Sequence, residues 1–298
     1  MRTALPVIVS LILTMTSSAA SAQSATTRPT TGLETTPQSI AGADAHVYRD
    51  AKPDPLRLFV FKPKHWKPDD RRPAFVFFFG GGWNRGTPER SAGWARTAAK
   101  WGLVGIAPDY RTRDRFGTTA KESVSDARAA IRWIQDHATE LGIDPSRLVV
   151  GGSSAGGHLA LWTAIEKAPP GSRAEDSPTT KPAALVLISA ASDTAFPHFA
   201  ARMGGDPEAL SPVHQLDKTM PPVIAFHGDA DATVPHRHAV ALRDKLVARG
   251  NECELTTVPG GSHGFTQQMP QWREKAQDAI CAFLEKQQLL PDARSSVP

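Results

Sequence analysis

Four short stretches of this chain carry residue types suited to nucleophilic acyl transfer. The first is Gly152-Ser153-Ser154-Ala155-Gly156, which follows the apolar run Leu148-Val149-Val150 and opens a helix-like segment. A serine between two glycines two residues away on either side fits a sharp strand-to-helix turn, which exposes the hydroxyl and tolerates no bulk beside it. The second stretch is Gly80-Gly81-Gly82-Trp83, after the apolar run Ala74–Phe79. Glycines let backbone N–H groups approach a developing oxyanion, so Gly81 and Gly82 are candidate donors, with Ala155 after the serine as a third. The third runs from His227 to Pro235 and contains Asp229 and Asp231; the fourth, Gly261-Ser262-His263-Gly264, presents a histidine between small residues. A serine needs a base and the base needs an orienter, so the predicted set is Ser154, His263 and one of the two aspartates. Both later stretches follow predicted strands, at the edge where open parallel sheets place their sites.

Other reactive residue types have local explanations. His158 falls just inside the helix after Ser154, and His227 ends a strand, so both read as structural. His236 and His238 stand two apart near a helix start, without the further ligands at suitable spacing that a metal site needs. Trp133 and Trp162 lie on predicted helices and read as core, whereas Trp83, beside the glycine triplet, is the candidate for an acyl or sugar pocket. The charged run Arg111, Arg113, Asp114 and Arg115 reads as a solvated or ion-paired loop rather than a substrate contact.

These groups must be held by alternating strands and helices. Apolar runs at Leu58–Phe61, Ala74–Phe79, Leu103–Ala107, Leu148–Val150, Leu185–Ile188, Val223–Phe226 and Glu254–Val258 read as strands. Helix signals span Pro88–Trp101, Thr119–Leu141, Ala239–Arg249 and Glu274–Lys286. The clearest is Thr119–Leu141, with a Thr119/Glu122 capping box and apolar residues three and four apart from Val124 to Leu141. Such alternation predicts an α/β fold, a mostly parallel sheet with helices on both faces. Residues 168–182 read as a polar loop.

Together these motifs, with Pro108-Asp109-Tyr110-Arg111 and Asp126-Ala127-Arg128, resemble the α/β-hydrolase superfamily. More narrowly they resemble its secreted esterase branch, related to hormone-sensitive-lipase-like and carbohydrate acetyl or feruloyl esterases. The resemblance covers about residues 55–287. It implies a central sheet of about eight strands and a chain order of Ser154, Asp231, His263, which selects Asp231 over Asp229. It implies a serine ester hydrolase that needs no metal or organic cofactor and acts on short acyl, especially acetyl, esters of carbohydrates or other small molecules. Two features depart from the family. Phe79 stands where the family usually has the histidine that braces the glycine loop, and no long N-terminal helical cap precedes the sheet. A prolyl-oligopeptidase-like peptidase shares the triad order but usually carries a large extra N-terminal domain. A hydrolase-fold binding protein with a silent site would be favoured by a missing triad member.

Composition bounds the rest. The chain has 298 residues, 40% hydrophobic and 21% charged, with a formal charge of +4 and no basic tract, which gives little case for nucleic acid. Residues 1–22 read as a signal peptide: Arg2, an apolar run from Ala4 to Met15 too short to span a bilayer, then Ala20-Ser21-Ala22 before a cut at Gln23. The expectation is an exported protein, periplasmic or extracellular, with no membrane contact after cleavage. Residues 23–40 read as a flexible Thr/Ser/Pro-rich leader, 41–290 as one catalytic domain and 291–298 as a tail. In an oxidising compartment Cys253 and Cys281 would be able to pair; two buried free thiols is the favoured reading.

Overall fold

The computed structural model describes Met1 and residues 34–291. The predicted signal region beyond Met1, leader residues up to 33, and tail residues from 292 lie outside the described residues.

Among the described residues eight strands form one sheet: β1 Asp44–Arg49, β2 Leu56–Phe61, β3 Arg72–Phe78, β4 Val104–Pro108, β5 Ile143–Ser153, β6 Ala184–Ile188, β7 Val223–Gly228 and β8 Cys253–Val258. Their order is β1-β2-β4-β3-β5-β6-β7-β8. The β1–β2 and β2–β4 pairs are antiparallel and the remaining pairs parallel. The helices are α1 Ala92–Lys100, α2 Arg113–Phe116, α3 Ala120–Asp136, α4 Ala155–Ala164, α5 Pro197–Met203, α6 Pro212–Gln215, α7 Arg237–Ala248, α8 Phe265–Gln268 and α9 Pro270–Lys286.

Alternation within the central strands divides the core. Val76 and Phe78 of β3 join Val124 and Ile131 of α3, Leu159 of α4 and Leu242 of α7 on one face. Phe75 and Phe77 join Trp94 of α1 and Ile280 and Phe283 of α9 on the other. Strands buried on both faces read as continuous apolar runs, which is why β3 and β6 stand out in the sequence.

Buried ion pairs fasten the site-bearing side. Asp126 of α3, fully buried, accepts from Arg111 Nε at 2.8 Å and pairs with Arg49 of β1 at 2.8 Å. Arg49 also pairs with Asp176, in the loop 168–182. Asp109, after β4, pairs with Arg115 of α2 at 2.6 Å. The charged run 111–115 is therefore ion-paired at Arg111 and Arg115.

Several elements differ from expectation. β1 has no apolar run because it is a half-exposed edge strand. α3 begins at the predicted cap, where the Glu122 carboxylate accepts the Thr119 N–H at 2.8 Å, but stops at Asp136. Residues 137–141 form turns that lead into Gly142, whose φ is 64°. Ala138 and Leu141 stay buried there, so their spacing continues the apolar pattern without continuing the helix. The predicted segment 88–101 splits into a 3₁₀ turn over Pro88–Arg90 and α1. Residues 34–40, expected to be part of a free leader, dock on the fold. Glu34 pairs with Arg90 and accepts the Gly86 N–H at 2.5 Å, Thr36 accepts from Arg115 at 2.8 Å, and Ile40 is buried. Cys253 and Cys281 are both free and half-buried rather than buried, and burial pushes the Cys253 thiol up to about 12.

Candidate active site

The turn between β5 and α4 holds Ser154 at φ 54° and ψ −119°, a region that disfavours any residue with a Cβ. Its backbone is fixed from several sides. The Ser154 N–H donates to Ile188 O at 2.9 Å, and its carbonyl accepts from Gly157 at 3.0 Å and Ala191 at 3.1 Å. The flanking glycines are required by space. A Cβ on Gly152 would lie 2.2 Å from the Gly156 carbonyl, and one on Gly156 would lie 2.2 Å from Phe78 O.

The three sequence-predicted residues converge. His263 Nε2 lies 2.9 Å from Ser154 Oγ, and His263 Nδ1 lies 2.8 Å from Asp231 Oδ2. A proton on Nδ1, donated to Asp231, leaves Nε2 as the acceptor for the serine hydroxyl. Asp231 Oδ1 accepts the N–H groups of Thr233 and Val234, each at 2.9 Å. His227, which sequence reading gave only a local role, adds a further contact. Its Nε2 donates to Val234 O at 2.7 Å and lies 3.2 Å from Asp231 Oδ2. Burial alone would raise the Asp231 carboxyl, but hydrogen bonds from His227, His263 and the Val234 N–H hold it well below the usual carboxylate range.

Asp229 is separated from this set. It accepts the Gly260 N–H at 2.7 Å and so ties the loop after β7 to the loop after β8. Those loops touch closely enough that a Cβ on Gly228 would lie 1.9 Å from Gly261 O. His158 donates from Nε2 to Leu210 O at 2.8 Å, and burial lowers its pKa to about 4. His236 meets Thr257 Oγ1 at 2.9 Å, while His238 is buried against Phe196. Among the described residues no group of three or more His, Cys, Asp or Glu is placed to hold a metal ion.

The glycine loop crosses in front of Ser154. Gly81 has φ 154°, and a Cβ there would lie 1.8 Å from Arg85 O. Gly82 and Trp83 follow at φ 62° and 60°. The N–H groups of Gly81, Gly82 and Ala155 donate to no acceptor among the described residues. Gly81, Gly82, Ser154 and His263 share one cleft of about 590 Å³. Trp83 also lines it, but is 1% exposed, set edge-on against His158 and Phe199 at 5.0 and 5.7 Å. It therefore forms the wall of the pocket rather than a projecting platform.

Phe79 supplies an apolar brace at the position where the family usually has a histidine. Its ring stacks on Tyr110 at 4.1 Å, its carbonyl accepts the Tyr110 hydroxyl at 2.9 Å, and Gly86 closes over it. Phe79→Leu should remove a stacking contribution of about 1 kcal/mol. It should lower kcat roughly 10–100-fold with little change in KM, because the donors shift relative to the serine. Steady-state kinetics with a thermal melt checks both, and an unchanged kcat would count against the brace.

Two family models together match most of the chain. The BD-FAE family model matches residues 58–186, which include the glycine loop and Ser154. The Dienelactone hydrolase family model matches residues 183–290, which include Asp231 and His263. A thermophilic esterase from Thermogutta terrifontis, solved with butyrate bound, is 34% identical with a TM-score of 0.78. The match covers 85% of this chain and 96% of that one. The chain belongs to the α/β-hydrolase esterases. Within them it falls in the hormone-sensitive-lipase-like branch of serine carboxylesterases. Esterase LipC of Mycobacterium tuberculosis is 26% identical over 235 residues, which cover 71% of this chain and 58% of LipC. Carboxylesterase NlhH of the same species is 36% identical over 99 residues, 32% of this chain and 30% of that enzyme. This esterase spans about half the length, or less, of the curated relatives it matches. The Thermogutta enzyme has also been captured phosphorylated by paraoxon and phosphonylated by sarin.

Proposed function

We propose that this esterase hydrolyses short-chain carboxylic esters through Ser154, His263 and Asp231. His263 Nε2 takes the hydroxyl proton as Ser154 Oγ attacks the ester carbonyl. The Gly81, Gly82 and Ala155 N–H groups hold the oxyanion. His263 then protonates the departing alkoxide, and water releases the acyl-enzyme by the same route. The observation that carries this reading is the chain from Ser154 through His263 to Asp231, at 2.9 and 2.8 Å, beside N–H donors with no acceptor among the described residues. Loss of one such donor typically costs about 10²–10³ in rate.

A short acyl group is supported by the butyrate and propionate bound to the Thermogutta esterase. Within that range we favour acetyl groups on carbohydrates or other small alcohols, as the family resemblance implies. Turnover of p-nitrophenyl esters of rising acyl length, with Ser154→Ala as control, tests the reaction and the length preference together. A maximum at long chains would overturn the preference.

Export is part of the same proposal and is supported by the N-terminal pattern of residues 1–22. Protein recovered outside the cytoplasm should begin at Gln23 on N-terminal sequencing. A chain still beginning at Met1 would overturn it.

A further inference from the structure

The cleft around Ser154 is lined by four arginines, Arg85, Arg90, Arg113 and Arg202, and by one acidic residue, Asp114. Arg90 is already paired with Glu34. Arg85, Arg113 and Arg202 have no carboxylate within ion-pair distance and no side-chain hydrogen bond among the described residues. That contrasts with Arg111 and Arg115, committed to Asp126 and Asp109 on either side of Arg113. The free guanidiniums come from separate elements that converge on the glycine loop. Arg113 opens α2, and its N–H is bound to Trp83 O at 3.0 Å, with Asp114 N–H bound to Asn84 O at 2.8 Å. Arg202 lies one helical turn beyond Phe199 on α5, and its Nη1 would be 2.9 Å from a Cβ built on Gly82. Its charge is felt nearby: burial, then Arg202 and Arg237, push His198 below its ordinary value.

Guanidiniums are planar donors suited to paired hydrogen bonds with a carboxylate. A surplus of them in the catalytic cleft, with one exposed acid as counter-charge, favours an anionic substrate. We propose that the cleft selects esters that carry a carboxylate, with Arg202 as the principal contact and Arg113 as the second. This rests on Ser154 being the nucleophile. The carboxylate belongs either to the acyl group or to the alcohol, and the two sources are separable.

For the acyl side, the hemiester mono-p-nitrophenyl glutarate is compared with neutral p-nitrophenyl butyrate. For the alcohol side, acetate release from O-acetylated galacturonic acid is compared with release from O-acetylated galactose. In at least one pair the charged ester should have the higher kcat/KM at low salt. That preference should shrink between about 0.01 M and about 1 M salt, as the Debye length falls from roughly 30 to roughly 3 Å. Arg202→Gln and Arg113→Gln should each lower the charged-to-neutral ratio, by about tenfold for Arg202, the loss expected for one charge-assisted contact. The ratio is the readout because Arg202 beside Gly82 also favours the oxyanion of a neutral ester. Arg132→Gln, which removes an exposed pair with Asp136, should leave the ratio unchanged. Equal or lower kcat/KM for the charged ester in both pairs at low salt overturns the proposal, as does a ratio that neither substitution moves. If the variants do not fold, the salt titration of the wild type decides alone. Wild-type turnover no faster than Ser154→Ala would sink the underlying reaction instead, whatever the ratios.

Discussion

Ser154→Ala should lose roughly 10⁴–10⁶-fold in kcat on p-nitrophenyl acetate while melting close to the wild type. The fold should survive because the strain at this position is a property of the backbone. Alanine keeps the Cβ, and the bonds that force φ to 54° are main-chain bonds to Ile188, Gly157 and Ala191. The deleted oxygen has one side-chain partner, His263 Nε2, which is open to water once the hydroxyl is gone. Chemistry suffers because no other hydroxyl on the turn meets His263. Ser153 is adjacent in sequence, but ends β5 and makes no hydrogen bond with the imidazole among the described residues. A residual rate of about 10³ over water should remain from the free N–H donors. Equal turnover by variant and wild type would remove Ser154 from the reaction.

Asp231→Asn should cost about 10³–10⁴-fold in kcat, and the direction of the damage follows from the hydrogen bonds. Oδ1 accepts two backbone N–H groups, from Thr233 and Val234, so the amide must place its oxygen there. Its NH₂ then faces His263 Nδ1 and His227 Nε2. Donation to Nδ1 moves the imidazole proton to Nε2, where it can no longer accept from Ser154. His227 already uses its Nε2 proton on Val234 O and meets the same NH₂ as a second donor, so the variant should also melt lower. The stability gap has a defined pH dependence. The folded carboxyl titrates below its ordinary value of 3.8, so its contribution is complete above that value. The contribution is lost as pH falls through the lower, folded value. Melting temperatures of both proteins should therefore differ at neutral pH and converge in strong acid. A constant gap, or a kcat within tenfold of wild type, would contradict this account.

The elements that sequence reading found are those whose signals are local. The turn at Ser154 needs small residues at 152 and 156 for steric reasons, and these positions are legible in five consecutive letters. The central strands are legible because burial on both faces removes polar residues from them. What stayed hidden depends on partners distant in the chain. The brace between Phe79 and Tyr110 joins residues 31 apart, and nothing in either segment alone announces the stack. The contact of His227 with Asp231 appears only when the loop after β7 closes on itself. The short helices α2 and α5 carry too few turns to show periodicity, yet they bring Arg113 and Arg202 to the cleft. Docking of Glu34 depends on Arg90, beyond the reach of a composition argument.

The candidate site is spread unevenly along the sheet. The glycine loop follows β3 and the serine turn follows β5, and β6 fixes that turn through Ile188 O. Asp231 and His263 arrive only with the loops after β7 and β8, and β8 is the last strand and an edge. The segment up to Ala191 therefore holds the strained serine and the free N–H donors, and the imidazole that meets the serine comes only after β8. A chain cut short before β8 would keep the most conspicuous motif of the family and lack His263. The edge strand of the sheet is the one that delivers His263 to Ser154.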